Sequence, residues 1–151
     1  MKKLFTLSNV IKLGALVFGL VAFFLMFANQ LYAELLGNRG YVAFDDAMFG
    51  DYGSVITFIG YLLILLSVLA VCALIFVNID SKLKRYINLG LSVLLILGAV
   101  FVFIEAAVVN GRIDADMYHL AAAPIIAGVF AIIAALGTAV SEFVPHKELL
   151  K

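Results

Sequence analysis

Charge is what this chain has least of. Asp, Glu, Lys and Arg make up 13% of its 151 residues, while 66% are hydrophobic. Soluble domains run at roughly 25% charged and about 45–50% apolar, so this is not the composition of a water-soluble globular domain. Basic and acidic residues number 10 each, for a formal net charge of zero, which leaves no broad basic surface for nucleic acid. There is no Trp and a single cysteine, Cys72. One cysteine excludes an intrachain disulfide, a Cys-based zinc site and a two-cysteine redox relay. Within VLAVCALIF it reads as a small buried hydrophobe. No Gly-rich phosphate loop leads into a helix with a Lys, and neither GxSxG nor HExxH occurs. No catalytic residue, metal or cofactor is therefore assigned, and the chain is read as non-enzymatic.

What is present is long apolar runs, enough for four membrane spans at about 20 residues each. The fold class expected is an all-α integral membrane protein, a single domain over 1–151. Its four transmembrane helices, at about 10–33, 54–78, 86–110 and 118–141, form an up-down-up-down bundle. The start, MKKLFTLSNVIK, is basic and precedes an uninterrupted apolar stretch, Leu13 to Ala28. That is the layout of a signal peptide, with Leu31-Tyr32-Ala33 as a mediocre cleavage site. The stretch is nevertheless long enough to cross a bilayer and is read as an uncleaved first span. Residues 34–53 form the one longer loop, turn-rich and structured, with Tyr41–Phe44 as a candidate strand. Tight polar turns at 80–85 and 111–116 join the remaining spans, and Pro145 ends or bends the last one.

Orientation follows from the basic residues. Lys2, Lys3, Lys12, Lys82, Lys84, Arg85, Lys147 and Lys151 fall on one side, Arg39 and Arg112 on the other. Eight against two in short loops puts both termini in the cytoplasm and the 34–53 loop outside, in the plasma membrane. Each span also offers a face of small or polar residues for helix packing. These are Ala15, Gly19, Ala22, Met26 and Asn29 in the first, Thr57, Gly60, Ile64 and Ser67 in the second, and Leu91, Gly98 and Glu105 in the third.

The fourth span has the plainest face. Ala123, Ala127, Ala131, Ala135 and Ala139 recur every fourth residue, joined by Gly128. A four-residue step drifts by about 40° around the helix, so different alanines are expected to serve different neighbours. Pro124 is expected to kink this span and leave a carbonyl unpaired.

Glu105 is the sole acid inside a span, about 7 Å from the end of its helix at Asn110. A carboxyl placed there is a functional candidate by default. His119 opens the next span from the same side, and Asn29 and Gln30 close the first at similar depth. Glu105, His119, Asn29 and Gln30 form a candidate ion or proton site, with an interfacial hydrogen-bond cluster as the plainer reading. Asp45, Asp46 and Asp51 lack EF-hand spacing and read as a solvated loop. His119 and His146 lie on opposite sides, so they do not jointly hold one haem.

Four spans, cytoplasmic termini and a longer first outer loop resemble the layout of claudin-type and other tetraspan proteins, in topology alone. The claudin first loop has a Trp-centred motif and a cysteine pair, and this chain has neither in its loop. Small multidrug transporters also have four short spans but rely on a glutamate in the first, where Leu13–Ala33 has none. No family is assigned. The function expected is that of a membrane accessory or scaffold protein, acting through helix packing and its outer loop. Its partners are the lipid bilayer and a second copy or a larger membrane complex. The alternative is a small ion- or proton-coupled transporter or channel component using Glu105 and His119.

Overall fold

A computed structural model of the chain describes residues 6–144. Pro145 and the flanking basic residues Lys2, Lys3, Lys147 and Lys151 lie outside the described residues. The elements run α1 (Leu7–Phe24), β1 (Leu31–Leu35), β2 (Asn38–Val42), α2 (Phe44–Phe49), α3 (Val55–Phe76), α4 (Ser81–Phe103), α5 (Glu105–Ile113), β3 (Tyr118–Leu120) and α6 (Ala122–Ser141). Four helical stretches are long and apolar enough to cross a membrane: Leu7–Phe27, Val55–Phe76, Ser81–Ile113 and Ala122–Ser141. The third has 33 residues, or about 50 Å of helix at 1.5 Å per residue. That exceeds the ~30 Å hydrocarbon thickness of a bilayer, so its α5 end reaches beyond the other helices and meets the sheet.

The helices form a closed ring in which α1 packs on α3, α3 on α4, α4 on α6, and α6 back on α1. Successive long helices run antiparallel, because the sheet gathers the end of α1 and the start of α6 at one end of the bundle. Each joint in the ring carries a glycine, and at three of the four a partner is pressed against it. A Cβ on Gly19 would overlap the Val68 side chain, and one on Gly128 would overlap the Phe103 ring. Gly60 and Gly98 face each other, so that a Cβ on either would lie 2.8 Å from the other's carbonyl oxygen. Gly137 completes the ring beside Ile11 and Ala15. Lipid is as apolar as leucine, so helix association in a membrane depends on this kind of close approach. Tyr61, Ile64, Leu95, Val102, Ala127 and Ala131 fill the interior and are completely buried. Val17, Phe24, Leu66 and Val93 point outward with 60–64% exposure.

The structure departs from the all-α expectation at one end. A three-stranded antiparallel sheet, in the order β2-β1-β3, joins the first and last inter-span connections. The first helix therefore stops short of 33, since residues 31–35 are extended. Leu31 pairs with both Val42 and Leu120. The fourth helix starts at Ala122, not Tyr118, because residues 118–120 are the third strand. The strand expected at Tyr41–Phe44 covers 38–42 instead, and Phe44 begins a short helix. Pro124 falls in the first turn of α6, where a missing N–H leaves no helical bond unmade. Contrary to expectation, it therefore leaves no carbonyl of the helix unpaired. The third span begins at Ser81, capped by Asp80, whose side chain accepts from the Lys82 and Leu83 amides.

Candidate functional site

The polar groups buried in the bundle collect at its two ends. At the sheet end, Gln30 follows the helical turn at Leu25–Phe27 and is completely buried. Its Nε2 donates toward the carbonyls of Leu25, Met26 and Ala28 at 2.9–3.0 Å, closing the frayed end of the helix. Its Oε1 accepts from the Tyr61 hydroxyl at 2.9 Å. The backbone of Gln30 is tied on both sides, its N–H to Val42 and its carbonyl to Ala121. Gln30 thus locks the first helix to the sheet, using every polar atom it has.

Glu105 opens α5 just after a one-residue break at Ile104. It is completely buried, and neither carboxylate oxygen has a hydrogen-bond partner among the described residues. Of the four residues singled out from the sequence, two are buried and two exposed. Asn29 is exposed while Gln30 is buried. His119 sits on β3, exposed, with its ring 5.4 Å from that of Tyr32. His119 pairs with Tyr32 across the sheet. Arg112 donates to the Gly53 carbonyl. Asn110 fastens β3 to α5: its Nδ2 donates to the Tyr118 carbonyl at 2.9 Å and its Oδ1 accepts from the Tyr118 amide at 2.9 Å.

The opposite end holds a second polar centre, one that sequence reasoning missed. Lys12 and Glu142 form an ion pair at 2.6 Å with both side chains almost wholly buried. Asn88 Nδ2 donates to the same carboxylate oxygen at 2.7 Å. Around this pair, Ser8 donates to the Ser141 carbonyl and Ser92 to that of Ala135. Cys72, half-buried, points its Sγ at the Lys12 carbonyl, 3.8 Å away. In the sequence Lys12 counts toward topology and Glu142 directly follows the fourth span. The available signal is one base and one acid, each at the edge of its apolar run on the same side.

Of the α6 face, Ala127, Gly128, Ala131 and Ala135 are buried, while Ala123 and Ala139 are half-buried. Gly128 meets α4 through Phe103, and Gly137 meets α1 through Ile11 and Ala15. Different positions on the helix therefore face different neighbours.

The outer surface of the sheet end has its own geometry. β1 and β2 are joined through Leu36 and Gly37, both with positive φ, 51° and 83°. Two positive φ values make a type I′ turn, whose twist suits a hairpin and which ordinarily takes Asn-Gly or Gly-Gly. Leucine at the first position is unusual. Leu36 is also fully exposed at the tip, with the 61% exposed Leu35 beside it. Behind the hairpin, α2 and the turn after it enclose an open cleft of about 380 Å³ with the sheet and α5.

Comparison with protein-family models, with curated proteins and with solved structures finds no match for this chain.

Proposed function

We propose that the chain is a non-enzymatic accessory or scaffold protein of the plasma membrane, presenting its hairpin tip to a partner protein. In this reading both termini are cytoplasmic and the sheet faces outward, as the positive-inside rule requires. Lys12, Lys82, Lys84 and Arg85 then share the cytoplasmic end, and Arg39 and Arg112 the sheet end. The observation that carries the reading is Leu36. A large apolar side chain stands fully exposed at a backbone position that disfavours it, and strained residues of this kind cluster at functional sites. The packed interior also favours scaffold over conduit, because Tyr61, Ile64, Leu95 and Val102 occupy the space between the helices.

The test is a photo-crosslinking amino acid at position 36 in native membranes, with position 93 on the lipid-facing surface as control. A discrete protein adduct at 36, absent at 93, is the expected result. Identical patterns at both positions, with a strictly monomeric purified protein, would remove the scaffold reading.

One observation favours a second reading, an ion- or proton-coupled component. Glu105 is a completely buried carboxyl without a hydrogen-bond partner among the described residues, and intramembrane acids commonly mark such pathways. Cation and proton flux into liposomes separates the two. Flux lost in Glu105→Gln supports coupling, and equal flux or none removes Glu105 from transport.

A further inference from the structure

The cleft behind the hairpin is large enough for a small ligand, since such sites run about 300–1,000 Å³ and this one is about 380 Å³. Its floor is apolar. Leu31, Ala47 and Val109 pack there as a small core separate from that of the helix bundle. Tyr41, Tyr52 and Tyr118 supply aromatic walls, and the first two are more than half exposed, so their rings are accessible. The remaining ionisable lining groups are Asp46 and Asp51, on α2 and in the turn after it. Among the described residues, no Lys, Arg or His lines the cleft. Arg112 reaches the rim but donates to the Gly53 carbonyl. One turn further into the bundle from Val109, on the same face of α5, Glu105 is fully buried with both carboxylate oxygens unpartnered among the described residues. Acidic groups therefore line the cleft, and a third stands one helical turn from its lining residue Val109.

We propose that this cleft binds an organic cation with a short aliphatic body, an alkylammonium group. Aromatic faces carry negative quadrupole charge and attract ammonium heads. The two aspartates reinforce that sign, and the Leu31–Ala47–Val109 floor covers the aliphatic part. An anion would meet two carboxylates with no free cation lining the cleft to answer it. A neutral apolar molecule would use the floor and leave the carboxylates without a role. The ammonium belongs either to a free amine or to a lysine side chain of another protein, and the chemistry of recognition is the same. This inference goes beyond the scaffold reading: a scaffold whose cleft binds no amine passes the crosslinking test at position 36 and fails the one below.

The full chain, reconstituted in phosphatidylcholine nanodiscs without anionic lipid, is titrated by calorimetry with n-butylammonium, n-butanol and n-butyrate. Saturable binding of n-butylammonium is expected, about tenfold or more tighter than n-butanol, with no measurable binding of n-butyrate. The double variant Asp46→Asn/Asp51→Asn should weaken n-butylammonium binding about tenfold, while Asp80→Asn at the far end of the bundle leaves it unchanged. Should the double variant fail to fold, Tyr52→Leu, which removes one exposed ring, serves in its place with loss of affinity again expected. A capped Gly-Lys-Gly peptide separates the sources. Binding of the peptide indicates a partner's lysine, and binding of n-butylammonium alone indicates a free amine. Equal binding of all three butyl probes, binding of none, or a folded double variant that binds like the native chain would overturn the proposal.

Discussion

Lys12 Nζ lies 2.6 Å from Glu142 Oε1, with side chains only 4% and 7% exposed, so one ion pair closes the first long helix onto the end of the last. Asn88, from α4, donates to the same oxygen. Three of the four long helices are thereby fastened at one carboxylate. A buried pair of this kind is strongly destabilising to break, because the remaining charge is left uncompensated, at about 3–5 kcal/mol. Glu142→Gln should lose stability of that order in denaturant titration of the detergent-solubilised protein. Lys12→Met/Glu142→Leu removes both charges and should recover most of the loss. A double variant no better than the single one would show that the pair's geometry matters more than its charge balance.

Gly60 and Gly98 bring α3 and α4 to backbone contact, and a Cβ at either meets the other's carbonyl at 2.8 Å. Gly98→Ala should therefore separate the two helices and destabilise by about 1–3 kcal/mol, the usual range for overpacking. Gly90 lies on the same helix with nothing within 4 Å of its added Cβ. Gly90→Ala should leave stability unchanged or raise it by about 1 kcal/mol through helix propensity. Thermal unfolding of the two variants side by side checks both outcomes.

Glu105 is buried without a hydrogen bond to either oxygen among the described residues. A polar group left in that state costs about 1–3 kcal/mol, and an apolar replacement of similar size removes the cost. Under the scaffold reading Glu105→Leu should be more stable than the native chain, with crosslinking from position 36 intact. Lower stability in denaturant titration would show that the carboxyl makes a stabilising interaction within the chain itself.

The surface pair Glu34–Arg39 behaves differently. Arg39 Nε donates to Glu34 Oε1 at 2.8 Å, and both side chains are more than half exposed. That hydrogen bond, and secondarily the carboxylate's charge, pushes the Arg39 guanidinium above its ordinary range. A raised pKa contributes stability that is fully present below the ordinary value and is lost only as pH rises through the raised one. Arginine's ordinary value already lies far above the physiological range, so this guanidinium should give no pH dependence between about pH 6 and 9. Exposed pairs contribute little, and Glu34→Gln should leave the unfolding temperature unchanged at physiological salt.

Which parts of this architecture could be read from the chain depends on how local their cause is. The four helices follow from apolar runs such as Leu13–Ala28, because transfer into lipid is a property of the run itself. Gly60 and Ile64, spaced four apart, point inward for the same local reason. Beyond the candidate strand at Tyr41–Phe44 the sheet is hard to read, since only Asn29 and Gln30 separate β1 from the apolar first run and β3 is three residues long. Its strands exist through pairing of Leu31 with Leu120, a contact that no local propensity encodes. The ends of the spans moved with it: Tyr118 and His119, which read as helix by composition, are held extended by Ala33 and Tyr32. Glu105 is legible as the single acid inside an apolar run, whereas the exposure of His119 depends on that same pairing. Lys12 and Glu142 looked like flanking charges, since their meeting requires the ring of helices to be closed first.

Leu36 offers the sharpest test of what the hairpin is for. With φ at 51° in a type I′ turn, next to Gly37 at 83°, it occupies a conformation that costs a leucine about 1–2 kcal/mol. Asparagine tolerates that conformation and is the preferred residue at the position. Leu36 is fully exposed and buries no surface in exchange. Leu36→Asn should consequently stabilise the protein by about 1 kcal/mol, read as a higher midpoint in denaturant titration. If the leucine serves recognition, the same change should abolish co-purification of the partner captured by crosslinking from Tyr41, at the far end of β2. Stability and association would then move in opposite directions, as they do where a strained residue serves function. A variant that is more stable and still retains its partner would show that association does not depend on the apolar tip.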